Sequence, residues 1–309
     1  MASIAAVVPC YNGARYLAGA LESIRAQTRP ADEVVVVDDG STDDSGRIAE
    51  SSGAVVVRQA NAGEAAARNT GLRVVGSDLV AWLDADDRWR PRHLEVVGGL
   101  LERTPDAAAA FGAVERTGAR SGVLLGHVPT GGASPCLEEA FDDWLHTTIA
   151  SVTRRSALLE VGGLDVSERY AVDFDLWLRL TRSHRFTATH EVTSEWRWHD
   201  AQQSAHRDRQ LAAVYRYRRR FLDTLRSEGE TALAEAFEQR LARVWVRDVR
   251  VHTRWEDRAV LRLLRDLGPT IPALTVRDRV LWSAVSRAPR LKRVLADGRR
   301  AVGRQGDGP

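Results

Sequence analysis

The sequence predicts an α/β fold, in which a mostly parallel sheet with flanking helices is followed by a helical extension. Two observations lead to this prediction. Short apolar segments alternate with amphipathic segments through the first hundred residues, which is the pattern of consecutive β-α-β units. The apolar segments are continuous, as expected for strands that are buried on both faces. From about His206 onward the pattern is helical and rich in arginine, so we expect the sheet to end before that residue.

Five strands and four helices are predicted in order along this first region. Each strand is an apolar, often β-branched run that ends at turn-forming residues. The helices place apolar residues on one side, as Leu17, Leu21 and Ile24 do. The predicted strands are Ile4–Val8, Glu33–Val37, Ala54–Val57, Leu79–Leu83 and Ala107–Val114. Helices are predicted around Leu17–Ile24, Ile48–Ala49, Glu64–Val75 and Leu94–Leu101.

The remainder of the chain is less regular. Residues 116–136 are rich in Gly, Ser and Pro and are predicted to form a mobile loop. Beyond that loop we expect strands near Ile149–Val152 and Val192–Trp198, and helices near Leu137–Leu145 and Phe174–Leu180. The helical extension is expected to break at Gly229, Gly268–Pro269 and Pro289, and its end, Gly303–Pro309, to be disordered.

Composition excludes several classes of protein. The 309 residues are 44% hydrophobic and 28% charged, which is ordinary for a globular protein and excludes fibrous or wholly disordered chains. No apolar run approaches the roughly 20 residues that span a bilayer. Residues 1–6 carry no basic side chain, so no signal peptide is expected. Cys10 and Cys136 are too few for a disulfide framework or a cysteine-rich zinc site, which favours a reducing cytoplasm.

The net charge of +2 conceals two oppositely charged regions. Residues 1–200 contain 20 arginines and 29 acidic residues, whereas residues 201–309 contain 24 basic and 13 acidic residues. In the basic tail, Tyr215–Phe221 mixes aromatic rings with arginines, but interspersed acidic residues and the lack of a motif argue against nucleic-acid binding. For Leu281–Leu295, two interpretations stay open: peripheral contact with an anionic membrane, or a helical layer with a solvated arginine face.

Three polar segments follow directly after predicted strands: Pro9–Asn12, Asp38–Asp43 and Asp84–Asp87. Ligands of parallel sheets bind beyond the carboxyl ends of the strands, so these segments are expected to converge. Asp84–Asp87 holds three carboxylates in four residues, and a bound Mg²⁺ or Mn²⁺ would offset their repulsion. The alternative is a solvated acidic turn that precedes a helix.

The segment Asp38–Asp43 also has two interpretations. A carboxylate here is able to accept a hydrogen bond from a nucleobase N–H or a ribose hydroxyl. Alternatively, Ser41 or Thr42 caps the next helix, with Asp43 and Asp44 in its first turn. The two interpretations are compatible, because Asp39 differs from the capping residues.

An ordered set of motifs extends from these segments through the following hundred residues. The set comprises Pro9–Asn12, Val37–Asp43, Asn61–Gly63, Ala67–Gly71, Leu83–Asp87 with Pro91, Val161–Asp165, Asp173–Arg179, and Trp196–His199 with Ser204. It resembles family 2 glycosyltransferases of the GT-A fold over about residues 3–204. Each motif is weak alone, whereas the ordered set is specific.

The resemblance implies a Rossmann-like GT-A sheet and a nucleotide-diphosphate sugar as donor, with a UDP-sugar expected. Pro9 and Tyr11 would flank the nucleotide base, and Asp39 would bind it. Arg68 would lie near the base or the diphosphate, and Asp84 near the ribose. The implied divisions are a nucleotide-sugar-binding region at 1–115, an acceptor and catalytic-base region at 116–204, and the basic helical extension at 205–309.

The resemblance also implies an inverting reaction that depends on Mg²⁺ or Mn²⁺. Asp86 would ligate the metal, and His199 is either a further ligand or a structural histidine. Asp173 would be the general base that takes the proton from an acceptor hydroxyl. An acidic residue usually precedes that aspartate in the family, whereas this chain has Val172. The unknown hydroxyl acceptor would belong to polysaccharide, glycolipid or glycoconjugate assembly, in the cytoplasm or at the inner face of the membrane.

Two rival functions are weighed against this one. A non-catalytic protein that binds nucleotide sugars within a glycan-assembly complex would be expected to have lost some acidic motifs, and here they are complete. A nucleotidyltransferase would need a glycine- and lysine-rich phosphate loop after the first strand, and the sequence there is Pro9–Gly13.

Overall fold

The computed structural model divides the chain into two compact units, Met1–His206 and Arg207–Pro309. The structure describes residues 1–118, 121–124, 128–143, 147–200, 202–255 and 257–287.

The described residues of the first unit form one sheet of nine strands. The strands are β1 (Ile4–Cys10), β2 (Glu33–Asp38), β3 (Val55–Arg58), β4 (Leu79–Trp82), β5 (Arg88–Trp89), β6 (Ala107–Gly118), β7 (Gly122–Leu124), β8 (Ser151–Arg154) and β9 (Arg185–Trp198). Their spatial order is β3-β2-β1-β4-β8-β6-β9-β5, with β7 paired to β6. The pairs β2–β3, β1–β2, β1–β4 and β6–β9 are parallel, whereas β8, β7 and β5 run antiparallel to their neighbours. The predicted α/β class is confirmed.

Helices cover both faces of this sheet. They are α1 (Ala14–Arg25), α2 (Ser45–Ser51), α3 (Glu64–Val74), α4 (Gly99–Arg103), α5 (Leu137–Asp142), α6 (Arg155–Glu160) and α7 (Val172–Leu180). A π-helical turn, Leu94–Gly98, precedes α4, and 3-10 turns span Thr148–Ala150 and Gln203–Ala205. On one face Ile4 and Val8 pack with the apolar stripe of α1. On the other, a Cβ at Gly71 would lie 2.3 Å from Val7 Cγ1, so α3 approaches β1 closely only because position 71 is glycine.

The middle of the chain differs from the sequence prediction. Residues 116–136 are not one loop, because β6 continues to Gly118 and β7 pairs with it. Strand β9 begins seven residues before the predicted Val192, and α6 was not predicted. Strand β7 and the first part of β9 contain no continuous apolar run, so they depend on pairing with β6. The helix predicted to reach Leu145 ends at Asp142, and residues 144–146 lie outside the described ones.

The second unit is helical, with α8 (Arg207–Ser227), α9 (Thr231–Trp255), α10 (Arg258–Leu267) and α11 (Val276–Arg287). The predicted break at Gly229 is confirmed, since that residue has a φ of 83° between α8 and α9. Tyr215, Tyr217 and Arg218 of the aromatic and basic segment are buried in this unit. The break predicted at Pro289, the disordered end and the apolar residues beyond Arg287 lie outside the described residues. No helix in the described ranges is long and apolar enough to cross a membrane.

Candidate active site

Loops after β1 and β2 meet at the carboxyl edge of the sheet and are joined by hydrogen bonds. The backbone N–H of Asn12 donates to Ser41 Oγ over 2.9 Å, and Asn12 Oδ1 accepts from the N–H of Thr42 over 2.8 Å. Asn12 has a left-handed φ of 49°, which asparagine tolerates better than most residues. The interpretation of Ser41 or Thr42 as the cap of α2 is therefore wrong. That helix begins at Ser45, and Ser41 instead holds the β1 loop.

Asp39 lies at this edge as a buried anchor. Its Oδ1 accepts hydrogen bonds from Gln59 Nε2 over 2.7 Å and from the N–H of Ala62 over 2.9 Å. Its Oδ2 accepts from the N–H of Gly63 over 2.8 Å. These bonds hold the loop that leads into α3. The predicted contact of Asp39 with a nucleobase has to use a lone pair that these three donors leave unoccupied.

Pro9 and Tyr11 occupy different environments at the end of β1. Pro9 is buried within the strand, whereas the Tyr11 side chain is 55% exposed. An exposed tyrosine beside a buried strand end presents an aromatic face to solvent, as nucleobase stacking would require.

Arg68 is the buried cation of the site. It is 1% exposed and forms ion pairs with Glu64 and Asp84, and its Nη2 donates to Thr148 Oγ1 over 2.9 Å. Burial lowers the pKa of Arg68, but the neighbouring Asp84 and Glu64 carboxylates raise it by more, so the side chain stays charged. A buried guanidinium with carboxylate partners is the arrangement expected of a fixed electrostatic element and not of a solvated surface group.

Asp84 is placed between opposing charges. Burial raises its pKa, Arg68 lowers it, and the nearby Glu64, Asp86 and Asp173 carboxylates raise it further. The balance is a pKa above the ordinary aspartate value. A surplus of carboxylates over cations at one point attracts a cation.

Asp86 and His199 lie together, although 113 residues separate them in the chain. His199 Nε2 is 2.8 Å from Asp86 Oδ2, and both side chains are partly exposed. The ring of Tyr16 lies 5.1 Å from the imidazole, centroid to centroid, and the Arg197 guanidinium lies 4.7 Å from the centroid of that tyrosine ring. The sequence-predicted pair is therefore brought together at the end of β9.

Asp87 connects the acidic loop to β9. It is 3% exposed, and its Oδ1 accepts a hydrogen bond from the backbone N–H of Arg197 over 2.8 Å. Burial and the neighbouring Asp86 and Asp84 raise the pKa of Asp87 well above its usual range. This bond fixes the strand end that carries His199.

Asp173 lies in the first turn of α7, and its Oδ1 accepts from the N–H of Phe174 over 2.9 Å. Its charge acts on both Arg68 and Asp84, so the predicted base shares the site with the predicted donor residues. The residue before α7, Ala171, is left-handed with a φ of 54° and is buried. For alanine this conformation is strained, and such strain is common at functional sites.

The loop 161–164 joins the helix of Asp173 to the helix of Arg68. From α7, Arg179 donates to the carbonyls of Val161 over 2.6 Å and Gly163 over 2.7 Å, and it pairs with Asp175 over 2.8 Å. From α3, Asn69 exchanges two 2.8 Å hydrogen bonds with the backbone of Leu164. Asp175 and Arg179 therefore form an i, i+4 ion pair within α7.

A family model described as glycosyl transferase family 2 matches residues 5–160 of this chain, which is half of its length and includes β2 to β8 and the loops that carry Asp39, Arg68 and Asp84–Asp87. The chain belongs to glycosyltransferase family 2.

Curated relatives are similar over only some of the chain. An uncharacterised glycosyltransferase of Rickettsia typhi is 30% identical over 209 residues, which cover 64% of this chain and 65% of the relative. The succinoglycan biosynthesis protein ExoW of Rhizobium meliloti is 43% identical over 103 residues, covering 30% of this chain and 32% of ExoW. The chain therefore spans just under two thirds of the Rickettsia relative.

Solved structures share the fold. Residues 1–349 of Staphylococcus aureus TarS in complex with UDP-GlcNAc match with a TM-score of 0.67 and 17% identity, over 92% of this chain and 87% of that one. A Pyrobaculum calidifontis mannosyltransferase in complex with GDP-Man and Mn²⁺ matches with a TM-score of 0.56 and 19% identity, over 97% and 80% of the two chains. The predicted GT-A fold of this family 2 member is thus confirmed.

Sequence reasoning missed three residues of the site. Glu64 has a visible signal, because it lies four residues before Arg68 on one helix. Thr148 has none, since its bond to Arg68 joins positions 80 residues apart. Arg197 belongs to the motif Trp196–His199, but its bond to Asp87 spans 110 residues and has no signal in the sequence.

Proposed function

We propose that this family 2 member transfers a sugar from a nucleotide-diphosphate sugar to an acceptor hydroxyl, with inversion at the anomeric carbon. The observation that supports this most directly is the gathering of Arg68, Asp84, Asp86 and Asp173 at one edge of the sheet. These residues provide a fixed cation, a cation-attracting cluster and a candidate base.

The donor would lie across the ends of β1, β2 and β4. Tyr11 would stack on the base beside Pro9, while Asp39 accepts a base N–H and Asp84 approaches the ribose. A UDP-sugar is the donor we propose, as the TarS complex holds UDP-GlcNAc. Arg68 would stabilise the negative charge that develops on the departing diphosphate, at no cost in reorganisation because Glu64 and Thr148 already fix it.

The residues present fit a divalent metal with few protein ligands. Among the described residues no group of three or more His, Cys, Asp or Glu side chains is placed to hold a metal ion by itself. Mg²⁺ and Mn²⁺ are commonly held by one or two carboxylates together with substrate phosphates. Asp86 and His199 would hold the ion here, and Mn²⁺ is bound in the mannosyltransferase complex. When bound, it would supply Lewis-acid stabilisation of the diphosphate leaving group.

Asp173 would accept the proton of the acceptor hydroxyl while the oxygen attacks the anomeric carbon from the face opposite the diphosphate. One displacement of this kind inverts the configuration and forms no sugar–enzyme bond. Val172 in place of the family's usual acidic residue leaves one fewer negative charge beside this base. Residues 116–204 would then supply the base and bind the acceptor, and residues 1–115 would hold the donor.

The first prediction tests the base directly. Asp173→Asn should lower kcat by about 10²- to 10⁴-fold, the range of general-base catalysis, and leave binding of the nucleotide nearly unchanged. The value of kcat is measured from the release of nucleoside diphosphate with Mn²⁺ and a panel of sugar nucleotides and acceptors. Nucleotide binding is measured from the thermal shift with UDP.

Asp106→Asn, at an exposed turn, is the matched control. Wild-type turnover in Asp173→Asn would exclude this base, and nucleotide binding without release in the wild type would favour the non-catalytic alternative.

The same proposal concerns where the protein works. We place it in the cytoplasm in cell-envelope polysaccharide or glycoconjugate assembly, with peripheral contact between the basic second unit and the inner membrane face. In α11, Val276 and Val280 are exposed one turn apart among arginines, as such a contact would need. Flotation of the full chain with phosphatidylglycerol vesicles, lost in high salt and absent with phosphatidylcholine, is the expected result. Absence of flotation with either lipid excludes the membrane contact.

A further inference from the structure

One carbonyl oxygen in the 3-10 turn Thr148–Ala150 accepts two side-chain hydrogen bonds. Trp89 Nε1 and Ser194 Oγ each donate to the oxygen of Ile149 over 2.9 Å. The donors come from adjacent strands, since Trp89 of β5 pairs with Ser194 of β9. Residues directly opposite each other in a ladder project to the same face, so both side chains reach one atom. Two donors occupy both lone pairs of this oxygen, and the position of Ile149 is therefore fixed from two strands.

The side chains at this junction are themselves held in place. Trp89, Ile149 and Ser194 are all buried, where a hydrogen bond is electrostatically stronger than in water. The Trp89 indole stacks on the ring of His93, with 4.6 Å between centroids and 12° between the planes. The backbone N–H of Trp89 donates to Ser23 Oγ over 3.1 Å. These contacts hold the indole in the orientation that directs its N–H at the Ile149 oxygen.

The turn that contains this carbonyl also holds the buried cation of the site. Thr148 directly precedes Ile149, and its Oγ1 accepts a hydrogen bond from Arg68 Nη2 over 2.9 Å. The Thr148 carbonyl accepts a further bond from Ser151 Oγ over 2.8 Å. Arg68 also pairs with Asp84, the first carboxylate of the acidic loop. The position of the guanidinium relative to that carboxylate therefore depends on where the turn lies.

These contacts form a closed cycle that includes both charged sides of the site. The acidic loop leads directly into β5, so Asp84 and Trp89 are five residues apart in the chain. From Trp89 the cycle passes to the Ile149 carbonyl. The Thr148 hydroxyl continues it to Arg68, whose ion pair with Asp84 closes it. A diphosphate that contacts Arg68 and a cation on the acidic loop has to fit the spacing that this cycle sets.

We propose that Trp89 and Ser194 are positioning residues for the diphosphate of the donor. Acting through the turn Thr148–Ala150, they set the spacing between Arg68 and the acidic loop. The inference rests on the proposed function and adds to it the residues that make the charged site rigid. Neither side chain has to touch the donor. Charges that are fixed in advance need no reorganisation when negative charge develops on the diphosphate.

The nucleobase side of the proposed donor site has separate supports. Asp39 accepts its hydrogen bonds from Gln59 and from the backbone of Ala62 and Gly63, and none of these residues belongs to the cycle. A variant with a broken cycle should therefore bind uridine like the wild type and bind UDP less tightly. The ratio of the two affinities reports contact with the diphosphate. A general loss of folded structure would instead lower both affinities.

The test measures the Kd values of UDP and of uridine for the full chain by saturation-transfer NMR, with Mg²⁺ present. Trp89→Phe retains an aromatic ring and removes the indole N–H, and Ser194→Ala removes the hydroxyl. Each should raise the Kd of UDP about threefold to tenfold and leave that of uridine unchanged. This change corresponds to about 0.7–1.4 kcal/mol, which is within the range of one hydrogen bond. When Thr148→Val has already removed the link to Arg68, Trp89→Phe should have little further effect on UDP.

Trp245→Phe is the matched control, because it removes a buried bond of the same kind, from Trp245 Nε1 to the carbonyl of Leu264 in the second unit. It should leave both Kd values unchanged. Wild-type affinity for UDP in Trp89→Phe and Ser194→Ala, or an equal loss of UDP and uridine binding, would overturn the positioning role. A full effect of Trp89→Phe in the Thr148→Val background would overturn the route through Thr148. A wild type that binds neither ligand would refute the proposed donor site, and this inference with it.

Discussion

Arg179 offers a quantitative test of how α7 is held in place. The prediction is that Arg179→Met destabilises the first unit and slows turnover, although residue 179 lies two turns from the proposed base. The wild-type guanidinium makes two hydrogen bonds to carbonyls of the loop 161–164 and one ion pair with Asp175. Methionine retains the aliphatic stem and removes all three.

The magnitude follows from these contacts. Each charge-assisted bond to a carbonyl contributes about 1.5 kcal/mol, which we reduce to about 1 because water reaches a side chain that is 30% exposed. Asp175, whose side chain is 8% exposed, loses its ion pair with Arg179 at a further cost of about 1–2 kcal/mol. The sum is about 3–4 kcal/mol. Arg179→Lys should lose about half of that, because one ammonium cannot replace a planar fork that serves three acceptors.

Urea unfolding followed by circular dichroism measures the free energy, with the slope checked for constancy between variants. Arg73→Met is the matched control, since Arg73 is exposed and donates, among the described residues, only to the hydroxyl of Thr70. The double variant Arg179→Met/Asp175→Asn should recover about 1 kcal/mol, because the buried carboxylate charge that Arg179 no longer pairs is removed. A loss within about 0.5 kcal/mol of the control would refute the reasoning. Turnover should fall more in kcat than in the donor KM, as α7 carries Asp173.

Three further predictions concern other regions of the molecule. Ala171→Gly should raise the free energy of unfolding by about 0.5–1 kcal/mol, because glycine relieves the φ of 54°, and a lower value in urea would show that the strain is absent. His93 is buried, which lowers its pKa from 6.5 to about 3, so between those values the unfolded chain binds the proton and the fold does not. The free energy of unfolding should therefore have its full value above pH 6.5 and fall as the pH drops towards 3, by up to about 1.4 kcal/mol per pH unit. His93→Phe should lack this slope in urea titrations at several pH values. Tyr215→Phe removes the buried 3.0 Å bond to Asp248 and should cost the second unit about 1–2 kcal/mol, whereas an unchanged unfolding midpoint would contradict that contribution.

The strands around the donor side were predictable because their signal is local. Ile4–Cys10, Glu33–Asp38 and Leu79–Trp82 are continuous apolar runs, and the structure changes their ends by one to two residues. The first half of β9 was not predicted, although Phe186 and Ala188 alternate there with Thr187 and Thr189 as in a strand. It becomes a strand because β6 lies beside it and Phe186 is buried there. Two-residue β5 carries no pattern at all.

The candidate site shows the same division between local and distant information. Motif residues such as Asp86 and His199 were named from the chain, and the fold brings their side chains to 2.8 Å. What holds them was not visible, because Asp87 reaches Arg197 across 110 residues and Arg68 reaches Thr148 across 80. Residue type indicates which groups have chemistry to perform. Only topology indicates which of them are neighbours, and parallel strands with long crossovers separate neighbours widely in sequence.

Backbone strain gives an independent indication of where the chemistry lies. Among the described residues, Asn12 and Ala171 are the non-glycines with positive φ. At Asn12 the cost is offset locally, because its side chain and N–H bond to Thr42 and Ser41. Ala171 has no side chain to do this, so packing must hold it, and its 5% exposure agrees with that. Packing therefore enforces strain immediately before Asp173. Such strain is expected if the direction of that carboxylate matters more than the stability of the turn. A general base has this requirement, because its carboxylate must be directed at one hydroxyl.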